Sequence, residues 1–309
     1  MKKKKLRILC FGEAMVELSA IDFTKESSRI GFAGDTLNTA IYLKRFLGQR
    51  AEVDYLTVLG LDFFSEQLAK YIESEHVGTD IIRRISSRSI GMYAISTDLS
   101  GERKFAYWRD RSAARLLFDN DEDFVNLRDY DLIYFSGISL AILPEKVRDD
   151  LLSFFENEEQ DLKIAFDSNY RPNLWESRSS AQKNIERAFK CCDIALPSLD
   201  DQIELTNSRT ESAVVDWFYN NKVNQTVLKR GAKGPRLIGA VNKNCTFAPE
   251  LNVVDSTAAG DSFNAGFLAA YFMGQSFVNS AWHGHELAKV VLTHQGAICP
   301  KASVPVFSK

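Results

Sequence analysis

What the sequence lacks narrows its function early. No apolar run is long enough to cross a bilayer, since a spanning helix needs about 20 such residues. No G-x-x-x-x-G-K-[ST] string occurs, which argues against a Walker-type nucleotide loop. The protein-kinase motifs are missing too. No G-x-G-x-x-G follows the first strand-like run, which argues against a Rossmann dehydrogenase. Neither sign of charge dominates: 38 Lys and Arg stand against 41 Asp and Glu, a net charge of −3. Composition therefore recommends no nucleic acid and no anionic membrane as partner. The five cysteines, Cys10, Cys191, Cys192, Cys245 and Cys299, are an odd number without CxxC spacing. That argues against a disulfide framework and a cysteine zinc site, and it agrees with a cytoplasmic location. The basic start, Lys2 to Lys5, leads into only a short apolar run ending at Gly12-Glu13. It reads as a solvated tail before a strand, not as the n-region of a signal peptide.

What is present is an alternation of strands and helices. Residues 7–12, 53–60, 130–137, 162–167, 193–197 and 225–231 read as buried strands. Residues 35–47, 62–77, 145–156 and 180–191 read as helices between them, the first closed by Gly48. Apolar strands alternating with helices predict an α/β fold with a mostly parallel sheet covered on both faces. No internal repeat or long linker divides residues 1–309, so one domain is expected. One segment breaks the alternation. Residues 90–110 hold two strand-like runs joined by a turn at Ser100-Gly101, a hairpin signal. It is either a flap standing off the main sheet or an antiparallel edge of that sheet.

The string DSTAAGDSF, residues 255–263, puts small residues and an acid at the entrance of an apolar helix. A helix N-terminus offers unpaired N–H groups and a partial positive charge, and it binds anions where side chains leave room. Ala258, Ala259 and Gly260 leave that room, and an anion site at this turn expects Ala258 to keep out of positive φ. Asp261 beside them can take a proton from a hydroxyl. A base for an attacking alcohol next to donors for developing charge is what phosphoryl transfer needs.

The same string resembles the C-terminal signature D-T-x-G-A-G-D-x-F of the ribokinase-like (PfkB) carbohydrate kinases, with Ala258 in place of the first core glycine. The resemblance covers nearly the whole chain. It implies a ribokinase-like fold, ATP with Mg²⁺, Asp261 as general base, and room for K⁺ near Asp255. GFAGDTLNTA is similar to the family's sugar-binding glycine motif, matching Gly34, Asp35 and Asn38. CFGEAMVELS is similar to the opening strand, where Glu17 stands for the usual sugar-binding aspartate. TVLKRGAKG matches the nucleotide side at Lys229, Gly231 and Gly234. In ALPSLDDQIEL, Ser198 and Asp201 replace the family's Asn and Glu. Asp201 is either a metal-organising acid acting through water or an ordinary acidic helix start. The family also allows a homo-oligomer through the flap.

GFAGDTLNTA, YWRDRSAAR and DSNYRPNLW together resemble the branch of the family that phosphorylates 2-keto-3-deoxygluconate (KDG), a six-carbon keto acid, at its 6-hydroxyl. In that branch the residues matching Tyr107, Arg109 and Arg171 contact substrate. The side chains agree with an acidic ligand, because arginine grips a carboxylate through two parallel hydrogen bonds. In KFAYWRD read as a strand, Phe105, Tyr107 and Arg109 share one face and Trp108 the other. Arg171 lies just past a strand's carboxyl end. Tyr93 is a candidate for substrate contact or for packing. Asp167 could see a metal or cap the next turn. His283, His285 and His294 lack a partner set for a metal. Gly266 reads as a packing glycine and Cys191-Cys192 as buried structure. The rival readings are a neutral-sugar kinase of the same fold and a sugar-acid sensor without catalysis.

Overall fold

The computed structural model describes residues 5–22, 27–97, 103–157, 162–223, 225–239 and 246–306. The strands in chain order are β1 (Leu6–Phe11), β2 (Met15–Asp22), β3 (Ser27–Ala33), β4 (Ala51–Leu56), β5 (Val58–Leu59), β6 (Arg83–Arg84) and β7 (Gly91–Thr97). Then come β8 (Arg103–Trp108), β9 (Leu132–Ser136), β10 (Lys163–Asp167), β11 (Ile194–Ala195), β12 (Gln225–Leu228) and β13 (Arg236–Gly239). The helices are α1 (Asp35–Leu47), α2 (Phe63–Ser74), α3 (Asp121–Leu127), α4 (Gly137–Ala141) and α5 (Glu145–Glu156). They continue with α6 (Arg178–Cys191), α7 (Leu199–Thr206), α8 (Glu211–Asn220), α9 (Ala259–Phe272) and α10 (Phe277–Leu292).

The layers follow from alternation along β1. Ile8 and Cys10 point into one apolar layer, shared with α1, α2, α9 and α10. Leu9 and Phe11 point into the other, shared with α5, α6, α7 and α8. A strand buried on both faces must be apolar throughout, which is why these runs show no polar alternation. The seven-stranded sheet has the order β13-β12-β11-β10-β9-β1-β4. Its pairs are parallel except for β12 with β13. The α1 bounds and its Gly48 C-cap agree with the expected helix. The expected strand over residues 53–60 instead breaks at Thr57, with β4 in the main sheet and β5 paired to β6.

The flap stands off the main sheet. A separate four-stranded sheet has the order β3-β2-β7-β8. The expected hairpin supplies β7 and β8, and its Ser100-Gly101 turn, like Cys245, lies outside the described residues. Strands β2 and β3 are an addition to the sequence reading, and Glu17 sits on β2 of the flap, not on the opening strand. Cross-strand register puts Gly31, Glu17, Tyr93 and Tyr107 in one row, hence on one face. The other face carries Phe32, whose ring lies 5.7 Å from that of Tyr71 on α2. It also carries Ile30 and Trp108, 57% and 60% exposed.

Candidate active site

A cleft of about 880 Å³ opens where the main-sheet strands end and the flap overhangs. Open parallel sheets bind ligands at this place, beyond the strands' carboxyl ends. The ends of β10 and β12 deliver Asp167 and Lys229, the starts of α1 and α7 deliver Asp35, Asn38, Ser198 and Asp201, and α9 delivers Ala258 to Asp261. Phe105 and Tyr107 reach the cleft from the flap, and Arg171 from the loop after β10.

The start of α9 differs from expectation in one respect. Ala258 does not avoid positive φ: it is the N-cap at φ 60°, ψ 14°, with no side-chain capping bond. The turn must reverse sharply into the helix, and alanine accepts there a conformation costing roughly 1–2 kcal/mol. The Ala259 N–H already donates to the Ser256 carbonyl at 3.2 Å, so the open donors of the first turn belong to Gly260 and Asp261. Asp255 pins the loop, accepting from the Thr257 N–H (2.9 Å) and hydroxyl (2.7 Å) and from the Gly296 N–H (2.8 Å).

Asp261 accepts a 2.9 Å hydrogen bond from the Asn38 amide. Burial raises its pKa to about 8, with Asp35 and then Asp167 adding repulsion, while Asn38 and Lys229 oppose the rise. A carboxylate held near neutral pH is suited to exchange a proton with an alcohol. Asp35 in turn accepts from Asn169 at 2.7 Å. Gly34 does not line the cleft; a side chain there would collide with the Glu13 carbonyl. Its smallness lets α1 start against the end of β1.

The flap residues divide. Tyr107 is half exposed over the cleft and stacks 5.8 Å from Tyr93. Tyr93 is buried, and its hydroxyl donates to Glu17. Arg109 shares the Tyr107 side, with its guanidinium carbon 5.9 Å from that ring, but it is only 7% exposed and is not a cleft-lining residue. It falls just beyond β8 and ion-pairs with Glu13. Gly91 makes this contact feasible, since a side chain there would sit 2.9 Å from Glu13 Oε1. Arg109, expected to face the substrate from the flap, is instead held in this ion pair: a buried guanidinium needs a counter-charge, and the loop after β1 supplies one. Arg171 is open instead, its side chain 52% exposed and touching Asp201 at 3.3 Å.

On the other side of the cleft, Ser198 caps α7 through the Asp201 N–H. Burial raises the Asp201 pKa, against the attraction of Arg171. Gly231 and Gly234 both take positive φ, and a side chain at Gly234 would lie 2.5 Å from Phe247 Cβ. Lys229 Nζ donates to Asp167 and, at 3.0 Å, to Asn264 Oδ1. Asp167 also caps its own turn through the Asn169 N–H. Asn169 lines the cleft, and Glu13 and Asn264 hold Arg109 and Lys229 behind it; the sequence reading proposed none of the three for the site. Only Asn264 carried a signal, one turn beyond Asp261 on the same helix. Among the described residues no group of three or more His, Cys, Asp or Glu could hold a metal ion. His285 and His294 bond the Ala248 and Val290 carbonyls, and His283 lies edge-on to Phe46. A side chain at Gly266 would lie 2.8 Å from the His283 carbonyl, so this glycine lets α9 and α10 meet. Cys191 and Cys192 are partly buried free thiols. Among the described residues no helix is long and apolar enough to cross a membrane.

Known proteins resemble this chain over nearly its whole length. The chain is 38% identical over 308 residues to a 2-dehydro-3-deoxygluconokinase of Escherichia coli, covering 97% of this chain and 99% of that one. The fold matches a fructokinase from Vibrio cholerae, solved with fructose, ADP and calcium, at a TM-score of 0.82 and 18% identity, over 97% and 96% of the two chains. It matches a 2-dehydro-3-deoxygluconokinase from Thermotoga maritima at 0.76 and 20% identity, over 96% and 95%. These likenesses give the fold as ribokinase-like. The family description "pfkB family carbohydrate kinase" matches residues 5–303. With a match of that extent around an acid at the mouth of a helix, the chain belongs to the pfkB family of carbohydrate kinases.

Proposed function

We propose that this protein transfers the γ-phosphoryl group of ATP to the 6-hydroxyl of KDG, giving 2-keto-3-deoxy-6-phosphogluconate. The observation that carries the reading is Asp261 in the first turn of α9, bonded to Asn38, with Arg171 open to the same cleft. The relative named 2-dehydro-3-deoxygluconokinase supports the same substrate, since that name denotes a kinase of KDG.

In this mechanism Arg171 takes the substrate carboxylate. Arg109, neutralised by Glu13, sits behind Tyr107 and supports the flap side of the site. Asp35 and Asn38 set the sugar against α1, whose start Gly34 admits, and Tyr93 and Tyr107 close over it. Asp261 takes the proton of the 6-hydroxyl as it attacks. The N–H groups of the Ala258–Asp261 turn, chiefly those of Gly260 and Asp261, stabilise charge on the transferring phosphoryl. Ser198, Gly231 and Gly234 shape the nucleotide side. Mg²⁺ would arrive on the ATP phosphates, neutralising charge and keeping several waters. The oxygen donors of this cleft suit it, with Asp201 the acid to hold one such water. A monovalent cation such as K⁺ would sit by the loop that Asp255 pins. The reaction belongs in the cytoplasm, where ATP is available. A second copy of the chain would cover Ile30 and Trp108 on the outer flap face, and Trp108→Arg should lower the mass seen by light scattering. The test of function is ATP consumption with KDG, its C4 epimer and D-fructose. Turnover confined to the sugar acids is expected, and preference for fructose would overturn the reading in favour of a neutral-sugar kinase.

A further inference from the structure

Lys229 is bound more tightly than a residue that only receives a nucleotide would need. Its backbone is locked on both sides, the N–H donating to Pro197 and the carbonyl accepting from Leu199, each at 2.8 Å. Its side chain is 12% exposed, and the ammonium donates to two acceptors, Asp167 and Asn264. Asn264 is fully buried. Its amide nitrogen donates to Tyr134 at 2.9 Å and to Asp167 at 2.7 Å, so its oxygen is left facing Lys229. A side chain added at Gly260 would stand 3.6 Å from Lys229 Nζ. The ammonium thus lies against the first turn of α9, beside the backbone that carries Asp261.

From this geometry we propose that Asn264 and Asp167 hold Lys229 as a fixed positive charge that favours the ionised form of Asp261, so that Lys229 serves the base and not primarily the nucleotide. The inference rests on Asp261 being the base. The charges around Asp261 make the role specific. Asp35 from α1 and Asp167 from β10 repel its negative charge. Tyr93 from the flap and Tyr134 from β9 are held neutral by burial. From α10, His285 is engaged with the Ala248 carbonyl and Lys289 with Glu286. Arg171, from the loop after β10, is turned to Tyr170 and Asp201. Lys229 is the cation that contributes to the lowering of the Asp261 pKa. Asn264 is a positioning residue in this scheme, because it touches Lys229 and not the reacting atoms.

The test follows the Asp261 carboxyl carbon by NMR through a pH titration, assigned with Asp261→Asn, in wild type, Lys229→Met, Lys229→Arg and Asn264→Ser. Loss of the Lys229 charge should move the midpoint up, by up to about one pH unit, in Lys229→Met. Lys229→Arg should restore most of it, and Asn264→Ser should give a smaller upward move. Profiles of kcat/KM should move with the midpoint, so that Lys229→Met loses up to about ten-fold on the acid limb and recovers in alkali. An unmoved midpoint in Lys229→Met, or a pH-independent rise in KM for ATP alone, would overturn the proposal. Should Lys229→Met fail to fold, an unmoved midpoint in Asn264→Ser overturns it instead. A midpoint that moves as expected in a protein with no sugar-acid turnover would support the Lys229–Asp261 coupling while sinking the assigned reaction.

Discussion

Arg171→Ala puts the choice of substrate to the sharpest test. Arg171 spends little of its hydrogen-bonding capacity within the chain: Nη1 donates to the Tyr170 carbonyl at 2.7 Å and to Asp201 at 3.3 Å. The remaining donors of its fork are free to meet a carboxylate. A hydrogen bond to a charged partner is worth about 1.5–3 kcal/mol, and about 1.4 kcal/mol corresponds to ten-fold. The side chain is 52% exposed, so water competes for the bond. The loss in kcat/KM for KDG should therefore lie near the low end, about 10- to 30-fold. It should appear mainly in KM, because the carboxylate is remote from the reacting hydroxyl and is held equally in ground and transition states. Arg171→Lys should lose nearly as much, since the charge stays and the paired geometry goes. For D-fructose, which offers no carboxylate, the change should be under about 3-fold. The assay is steady-state ATP consumption with both sugars in wild type and both variants. Equal losses on the two sugars would refute the claim that Arg171 reads the acid.

Other outcomes are expected from the same geometry. Asp261→Asn should cut kcat by about 10²–10⁴-fold with an unchanged circular dichroism spectrum; near-normal turnover would remove Asp261 from the base role. With the Asp261 pKa raised to about 8, kcat/KM should climb from roughly pH 7 to pH 9 and then level, because the proton acceptor is the ionised form. Stability carries the opposite sign. A carboxyl whose folded pKa lies above its unfolded value contributes stability in acid that is lost as pH rises towards 8, and Asp261→Asn should flatten that part of a Tm-versus-pH curve. Ala259→Leu should crowd the first turn of α9 and depress kcat in a folded protein; unchanged kinetics would put the phosphoryl group elsewhere. Gly234→Ala places a methyl against Phe247 at positive φ, so the fold should lose about 2–4 kcal/mol by denaturant titration, with a raised KM for ATP.

The sequence by itself determined the elements whose signal is local. Residues 35–47 carry helical periodicity and end at a glycine, and α1 has those bounds. The apolar strand runs required a sheet covered on both faces, and Ile8 and Cys10 against Leu9 and Phe11 carry that out. Small residues before an acid marked the mouth of α9, because room for an anion is a property of neighbouring side chains. Contacts between distant segments had no such signal. That Arg109 is buried against Glu13, 96 positions away, depends on Gly91 leaving a gap between them. Strand β2 acquired its identity by pairing with β7 and with β3, and with it the flap took Glu17 from the opening strand. The positive φ of Ala258 reflects a loop tied down at Gly296, not alanine's own preference. The Lys229–Asp167–Asn264 cluster joins the ends of two strands to the second turn of a helix. Only the tertiary structure decided these, because a buried charge or a strained residue is stable where packing from elsewhere in the chain supplies its partner.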